Sequence, residues 1–104
     1  MDVPRSNGTL PPLVVDVTRE PGELRIRVAG EVDLSNVGVL SAALSGIDVG
    51  SADTVRLDLE GLTFCDVAGV RLLLQFRRDL RGSGHRVDVR GASDLVRKVC
   101  KLLG

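Results

Sequence analysis

The feature that most constrains the fold is a strand-like run followed closely by a helix-like run in the middle of the chain. Residues Val55–Leu59 alternate apolar and charged side chains, whereas apolar residues from Arg71 to Leu80 recur at helical spacing. Between them, Asp66 is a favourable N-cap, because its carboxylate can accept a hydrogen bond from the N–H of Ala68 or Gly69. Those two small residues leave the helix entrance open, and free N–H groups there can receive an anion or a partner's acidic group. The junction is therefore suited to contact, although it carries no obvious catalytic group.

The N-terminal half reads as a hairpin followed by a helix. Residues 13–18 and 24–28 have the pattern of β-strands, and the turn at Pro21-Gly22 makes them antiparallel. Ser35 is a candidate cap for a helix over residues 35–45. The apolar stripe of that helix consists of Val37, Leu40, Leu44 and Ile47.

The C-terminal half continues this alternation of strands and helices. We predict a helix over residues 67–81, a strand over 86–89 and a last helix over 93–103, which Ser93 caps. The last helix has an apolar stripe of Leu95, Val96, Val99, Cys100 and Leu103. The order β-β-α-β-α-β-α predicts a single α/β domain with a mixed, mostly parallel sheet and helices packed on it.

Length and charge limit the kinds of function that the chain can have. Its 104 residues suffice for one domain, which we place at residues 13–104 after a flexible tail at 1–12. Fourteen basic and 14 acidic residues give no net charge, and only two residues are aromatic, so the sequence does not favour nucleic-acid binding. No apolar run is long enough to insert into a membrane, and no signal pattern begins the chain. A cytoplasmic location is the default expectation.

Three carboxylates stand where a strand meets a helix: Glu31, Asp33 and Asp66. Such junctions gather at one edge of a parallel sheet, which is where ligand sites usually form. The cluster could bind a metal, act as a general acid and base, or contact a partner, whereas Asp66 alone could be only a helix cap. Metal binding is disfavoured, because no histidine accompanies the carboxylates and their spacing matches no ligand motif.

Cys65 is the one candidate nucleophile beside a helix entrance, where a thiol pKa falls. The only histidine, His85, precedes the fourth predicted strand, so it is expected at the opposite sheet edge, about 17 Å away or more. The adjacent carboxylate of Asp66 also disfavours a thiolate. The sequence therefore predicts neither an enzyme, nor a cofactor, nor a small-molecule substrate.

Three segments resemble STAS domains, the family of bacterial anti-sigma factor antagonists. They are Gly30-Glu31-Val32-Asp33, Leu62 to Gly69, and Arg90-Gly91-Ala92-Ser93 followed by Val96-Arg97-Lys98-Val99. The resemblance extends from about Leu24 to Gly104 and implies the same α/β architecture. Many relatives carry Asp-Ser-Ser-Gly at the central helix start, and a kinase that is also the anti-sigma factor phosphorylates the second serine. Here the same register reads Asp66-Val67-Ala68-Gly69, so Ala68 occupies the phospho-acceptor position.

The resemblance implies that the chain binds an anti-sigma factor with a GHKL-type ATPase or kinase domain and thereby frees a sigma factor. The expected contact residues are Glu31, Asp33, Cys65, Asp66, Val67, Ala68 and Gly69. Phosphorylation is not expected at Ala68, which has no hydroxyl group. Two other readings remain open: a STAS subunit of a lipid transporter or a large signalling assembly, and a small enzyme that uses Cys65 or the carboxylates.

The missing serine raises the question of what else could control binding. One hypothesis is a reversible disulfide between Cys65 and Cys100. The alternative is that Cys100 is a buried core thiol, which is a common position for cysteine in a cytoplasmic protein. Cys100 lies about two turns into its predicted helix, so the Cα atoms need not come within about 7 Å of each other.

Overall fold

The computed structural model describes residues 13–91, together with Arg97 and Lys101. Five strands and two helices have defined bounds in this part of the chain. In chain order they are β1 (Val14–Glu20), β2 (Glu23–Val32), α1 (Val37–Ser45), β3 (Thr54–Asp58), β4 (Leu62–Cys65), α2 (Val67–Gly82) and β5 (Arg86–Arg90). The predicted α/β class and order are confirmed, and the structure adds the short strand β4. Arg97 and Lys101, from the predicted last helix, have helical backbone and exposed side chains.

The strands form one mixed sheet in the order β1-β2-β3-β5. β1 and β2 are antiparallel, and the tight turn at Gly22, which has a φ of 74°, joins them. β3 lies parallel to β2 and β5 lies parallel to β3. β4 also pairs in parallel with β2, beyond the end of β3. The carboxyl ends of β2 and β4 therefore meet at the same edge of the sheet.

The two faces of the sheet differ in chemistry because its strands alternate apolar and charged residues. On one face, apolar side chains from β2, β3 and β5 form the core, including Leu24, Ile26, Val55, Leu57 and Val87. On the other face, Arg56 of β3 forms ion pairs with Glu23 of β2 and Asp88 of β5, at 3.4 and 3.3 Å. The helices consequently pack on the apolar face.

Both described helices bury a stripe of leucine and valine against that face. α1 buries Leu40 and Leu44, while Val37 and Ile47 are half-buried, as their spacing predicts. α2 buries Gly69, Val70, Leu73, Leu74 and Leu80, and it packs against α1, β4 and β5.

Two local predictions differ from the structure. Ser35 does not cap α1: the N-cap residue is Asn36, and its side chain makes no capping hydrogen bond. Instead, the side-chain amide of Asn36 accepts a hydrogen bond from the N–H of Asp33 and donates one to the carbonyl of Glu31. The predicted strand over Val55–Leu59 ends at Asp58, and a turn follows in which the N–H of Leu62 donates to the carbonyl of Leu59 at 3.0 Å. Gly61 in this turn packs so closely on β2 that an added Cβ would lie 2.8 Å from the Cβ of Ala29. The chain turns there and starts β4 beside β2.

Candidate partner-binding surface

The turns that follow β2 and β4 lie side by side. Val32 and Cys65 are register partners at the ends of these strands, and the N–H of Asp66 donates to the carbonyl of Val32 at 3.0 Å. Asp33 and Asp66, each one residue further along, therefore leave neighbouring strand ends. The structure thus brings together the two turns that the sequence analysis singled out.

Asp66 caps α2 in the predicted manner. It has an extended backbone, and its carboxylate accepts a hydrogen bond of 3.0 Å from the N–H of Gly69. Its carbonyl also accepts the first helical bond, from the N–H of Val70. The cap fixes where α2 begins, and it places Val67 and Ala68 in the first turn.

Gly69 allows the first turn of α2 to lie directly on the strand ends. A Cβ added to this residue would stand 2.5 Å from Cys65 Sγ and 2.7 Å from Val32 Cγ1, and both neighbours are buried. Real Cβ atoms do not approach other atoms so closely, so a larger residue would push the helix away. Cys65, only 3% exposed, and the buried Gly69 therefore belong to the support beneath the surface.

The turn at Asp33 is held by its own hydrogen bonds. One carboxylate oxygen of Asp33 accepts bonds from the Ser35 hydroxyl, at 2.5 Å, and from the Ser35 backbone N–H, at 2.8 Å. These bonds lower the pKa of Asp33 below its ordinary value because they favour the ionised carboxylate, and the bond from the Ser35 hydroxyl makes the largest contribution. Asp33 is therefore a fixed negative charge at neutral pH.

Apolar side chains accompany the carboxylates at this edge. Val67 is 50% exposed, and Ala68, Glu31, Asp33 and Asp66 are half-buried. These five residues are hereafter the entrance surface.

Two further exposed apolar residues were not predicted. Leu34, in the turn next to Asp33, is 79% exposed, and Phe64, at the end of β4, is 42% exposed. The register shift between Gly30 and Glu31 interrupts the alternation of β4, so that Phe64 pairs with Glu31. Periodicity alone could not assign its face, whereas an isolated leucine in a polar turn was a readable signal for Leu34.

Cys65 and His85 do not form a catalytic pair. Cys65 is buried at the end of β4, whereas His85 stands just before β5, at the other edge of the sheet. The His85 ring bonds through Nδ1 to the carbonyl of Ala52 at 2.6 Å. Cys100 lies outside the described residues, so its pairing with Cys65 stays a prediction.

Within residues 13–91, no three His, Cys, Asp or Glu side chains are grouped so that they could hold a metal ion. The described helices include none that is long and apolar enough to cross a membrane.

Known proteins resemble this chain in sequence and in fold. The family model described as "Mlab, STAS domain" matches residues 15–104. Over 89 residues the chain is 37% identical to the anti-sigma F factor antagonist of Lysinibacillus sphaericus, covering 85% of this chain and 74% of that protein.

Two solved structures of SpoIIAA show the same fold, each with a TM-score of 0.67 and 29% identity. One is the anti-sigma factor antagonist SpoIIAA in its unphosphorylated form, where the match covers 88% of this chain and 81% of that one. The other is the Bacillus cell fate determinant SpoIIAA in its phosphorylated form, with coverage of 88% and 84%. The chain belongs to the STAS domain family.

Proposed function

We propose that this protein is an anti-sigma factor antagonist that binds an anti-sigma factor through the entrance surface and so releases a sigma factor. The observation that carries the proposal is the junction of Asp33 and Asp66 at the paired ends of β2 and β4, with Val67 and Ala68 in the first turn of α2 directly after Asp66. The named relatives are anti-sigma factor antagonists, which supports the same role here.

The entrance surface fits a partner with an apolar centre and basic groups around it. Val67 and Ala68 supply small apolar area, and Glu31, Asp33 and Asp66 are its only charged members. Apolar residues at an interface centre stabilise a complex by excluding water, while flanking charges orient the partner. We identify that partner as an anti-sigma factor with a GHKL-type ATPase or kinase domain, as the family resemblance implies.

Phosphorylation at the usual position is not part of this proposal. The related SpoIIAA has been solved in a phosphorylated form, but Ala68 offers no oxygen to a phosphoryl group. Thr63 is the nearest hydroxyl residue in the motif, and its Oγ1 donates to the carbonyl of Gly30 at 3.1 Å. Binding is therefore expected to be constitutive or controlled by other means.

The same geometry gives no support to an enzymatic role. Cys65 is covered by the first turn of α2, and His85 bonds to the main chain at the far edge of the sheet. The carboxylates of Asp33 and Asp66 are engaged in hydrogen bonds with Ser35 and with the N–H of Gly69.

The proposal is tested by capture from the native cell with the full chain as bait. Recovery of a GHKL-type ATPase that also binds a sigma factor supports it, and addition of the chain should then displace the sigma factor. Recovery of a transporter ATPase or of other signalling subunits instead would assign the alternative STAS role. A parallel capture with Ser51→Glu, an exposed loop residue before β3, is the control for altered charge away from the entrance surface.

Phosphorylation is tested with the captured partner and ATP. The intact mass of the chain should remain unchanged, since alanine cannot accept a phosphoryl group. Ala68→Ser restores the acceptor and should gain one phosphate if the partner is an active kinase. A stoichiometric gain of phosphate on the native chain would contradict this part of the proposal.

A further inference from the structure

A groove runs between α1 and α2 on the outer side of the helical layer. Its volume is about 250 Å³, enough for the side chains of one or two large apolar residues. Leu72 and Phe76, both half-buried, form its wall on α2. The facing wall on α1 includes Ser41 and Ser45, whose small side chains leave the groove open.

The groove lies along the same face of α2 as Ala68 of the entrance surface. Ala68 precedes Leu72 by one helical turn and Phe76 by two, so the three side chains lie on one face of α2. A partner that contacts Ala68 can therefore also contact Leu72 and Phe76 and so reach the groove.

The helix on the other side of the groove has no charged residue. α1 reads Val-Gly-Val-Leu-Ser-Ala-Ala-Leu-Ser, and its Val39 is 61% exposed. A helix at a protein surface normally carries charged residues on its outer face. Depletion of charge is instead a property of the centres of protein interfaces.

Acidic groups lie at both ends of the uncharged surface that the groove and α1 form. Asp33 and Asp66 lie at the upper end, and Asp79, which is exposed, lines the lower end. At about 1.5 Å per residue, Asp79 is about 20 Å along α2 from Asp66. Of the four arginines of α2, Arg71 and Arg78 line a separate cleft with Leu74, and Arg77 and Arg81 line two further pockets, so none of the four lines the groove.

We propose that the groove receives an amphipathic helix of the anti-sigma factor, with basic residues at both ends and large apolar residues between them. This inference rests on the proposed function and adds the second half of the contact surface. The complementary segment spans about 20 Å, or nearly four helical turns. Its apolar residues enter the groove beside Leu72 and Phe76, and its basic residues face the entrance carboxylates and Asp79.

Two substitutions test the groove without touching the buried core. Ser45→Arg places a long charged side chain in the groove, and Asp79→Arg reverses the charge at its lower end. Both positions are exposed and lie near helix C-termini, where a basic residue is favourable for the fold. Arg78→Glu is the matched control, since it reverses a charge on the adjacent residue that lines the separate cleft.

The assay is calorimetric titration of each folded variant with the purified GHKL-type ATPase that the wild-type chain captures. Ser45→Arg should weaken binding about tenfold or more, and Asp79→Arg about fivefold, because each disturbs an otherwise matched contact. Arg78→Glu should stay within about twofold of the wild type. Unchanged melting temperatures establish that losses of affinity come from the interface.

Comparison with Ala68→Glu separates this inference from the proposed function. If Ala68→Glu weakens binding and both groove variants bind as the wild type does, the groove inference is wrong and the entrance surface stands. If the groove variants weaken binding and Ala68→Glu does not, the contact lies on the groove without the entrance. If Arg78→Glu weakens binding as much as Asp79→Arg, the effect is not specific to the groove and the inference fails.

Discussion

Gly69→Ala is the substitution that most directly probes how α2 is seated on the sheet. The glycine lies in the first turn of α2, above the ends of β2 and β4. An alanine there would place its methyl group 2.5 Å from Cys65 Sγ and 2.7 Å from Val32 Cγ1. Both atoms belong to buried side chains, so neither can move aside without disturbing the core.

The expected loss of stability is the difference between two opposing effects. Overpacking of a close-packed site costs about 1–3 kcal/mol, whereas replacing a helical glycine by alanine gains up to about 1 kcal/mol. Because two contacts are violated at once, we expect the overpacking to prevail and the free energy of unfolding to fall by about 1–2 kcal/mol. For a domain of this size, this corresponds to a decrease in Tm of roughly 5–15 °C.

Thermal and urea unfolding measure this change, and Gly38→Ala is the matched control. Gly38 is an exposed residue of α1, and a Cβ added there has no neighbour within 4 Å. Gly38→Ala should therefore raise stability by about 0.5–1 kcal/mol. Combining Gly69→Ala with Cys65→Ala should recover at least about 0.5 kcal/mol relative to additivity, since the sulfur is one of the two obstacles. A stabilising Gly69→Ala, similar to Gly38→Ala, would refute the close approach of α2 to the strand ends.

Two further predictions concern the carboxylates of the entrance surface. Asp66→Ala removes the hydrogen bond to the Gly69 N–H and should lower the free energy of unfolding by about 1 kcal/mol in chemical denaturation. Asp66→Asn should retain most of the cap. Equal losses in both variants would contradict capping by the side-chain oxygen. Because hydrogen bonds lower the folded-state pKa of Asp33 below its ordinary value of 3.8, its contribution to stability is present above that value and is lost as the pH falls through the lowered pKa. Ser35→Ala removes the hydroxyl donor and should raise the pKa of Asp33 towards 3.8 in a carboxyl NMR titration. Ser35→Thr should preserve the lowered pKa. An unchanged pKa in Ser35→Ala would exclude the hydroxyl hydrogen bond as its cause.

The sequence predicts most of the fold because its apolar periodicity is clear. The Leu and Val residues of the core recur with period two in β2, β3 and β5 and at helical spacing in α2, so the class, the order and the face of each element follow. The cap at Asp66 is also predictable, since a carboxylate immediately before a helical apolar pattern has few other local uses.

Competition between alternative local hydrogen bonds explains why the sequence does not predict the start of α1. Three polar residues precede α1, and the sequence favours Ser35 as its cap, yet Ser35 bonds to Asp33 while Asn36 bonds back to the strand end. The separate strand β4 was not predicted because the turn closed by the hydrogen bond from the Leu62 N–H to the Leu59 carbonyl lies within a run that is apolar on both sides.

The positions of the candidate site residues can be predicted only where the order of strands and helices determines them. The meeting of Asp33 and Asp66 follows from parallel strands whose ends share an edge. The burial of Cys65 beneath Gly69 depends on the packing of α2, and the exposure of Phe64 depends on the register shift in β2. Neither of these leaves a signature in the order of residue types.

The most direct test of the proposed function is a titration of the purified anti-sigma factor with the wild-type chain and with Ala68→Glu. The variant adds a negative charge among Glu31, Asp33 and Asp66, and a desolvated, unpaired charge at an interface centre can cost several kcal/mol. The fold should survive, because an acidic residue is favourable in a helix first turn. Ser51→Glu, which adds the same charge at the opposite edge of the sheet, should bind as the wild type does. We expect Ala68→Glu to lose affinity at least about tenfold, whereas wild-type affinity in this variant would place the contact surface elsewhere and contradict the proposal.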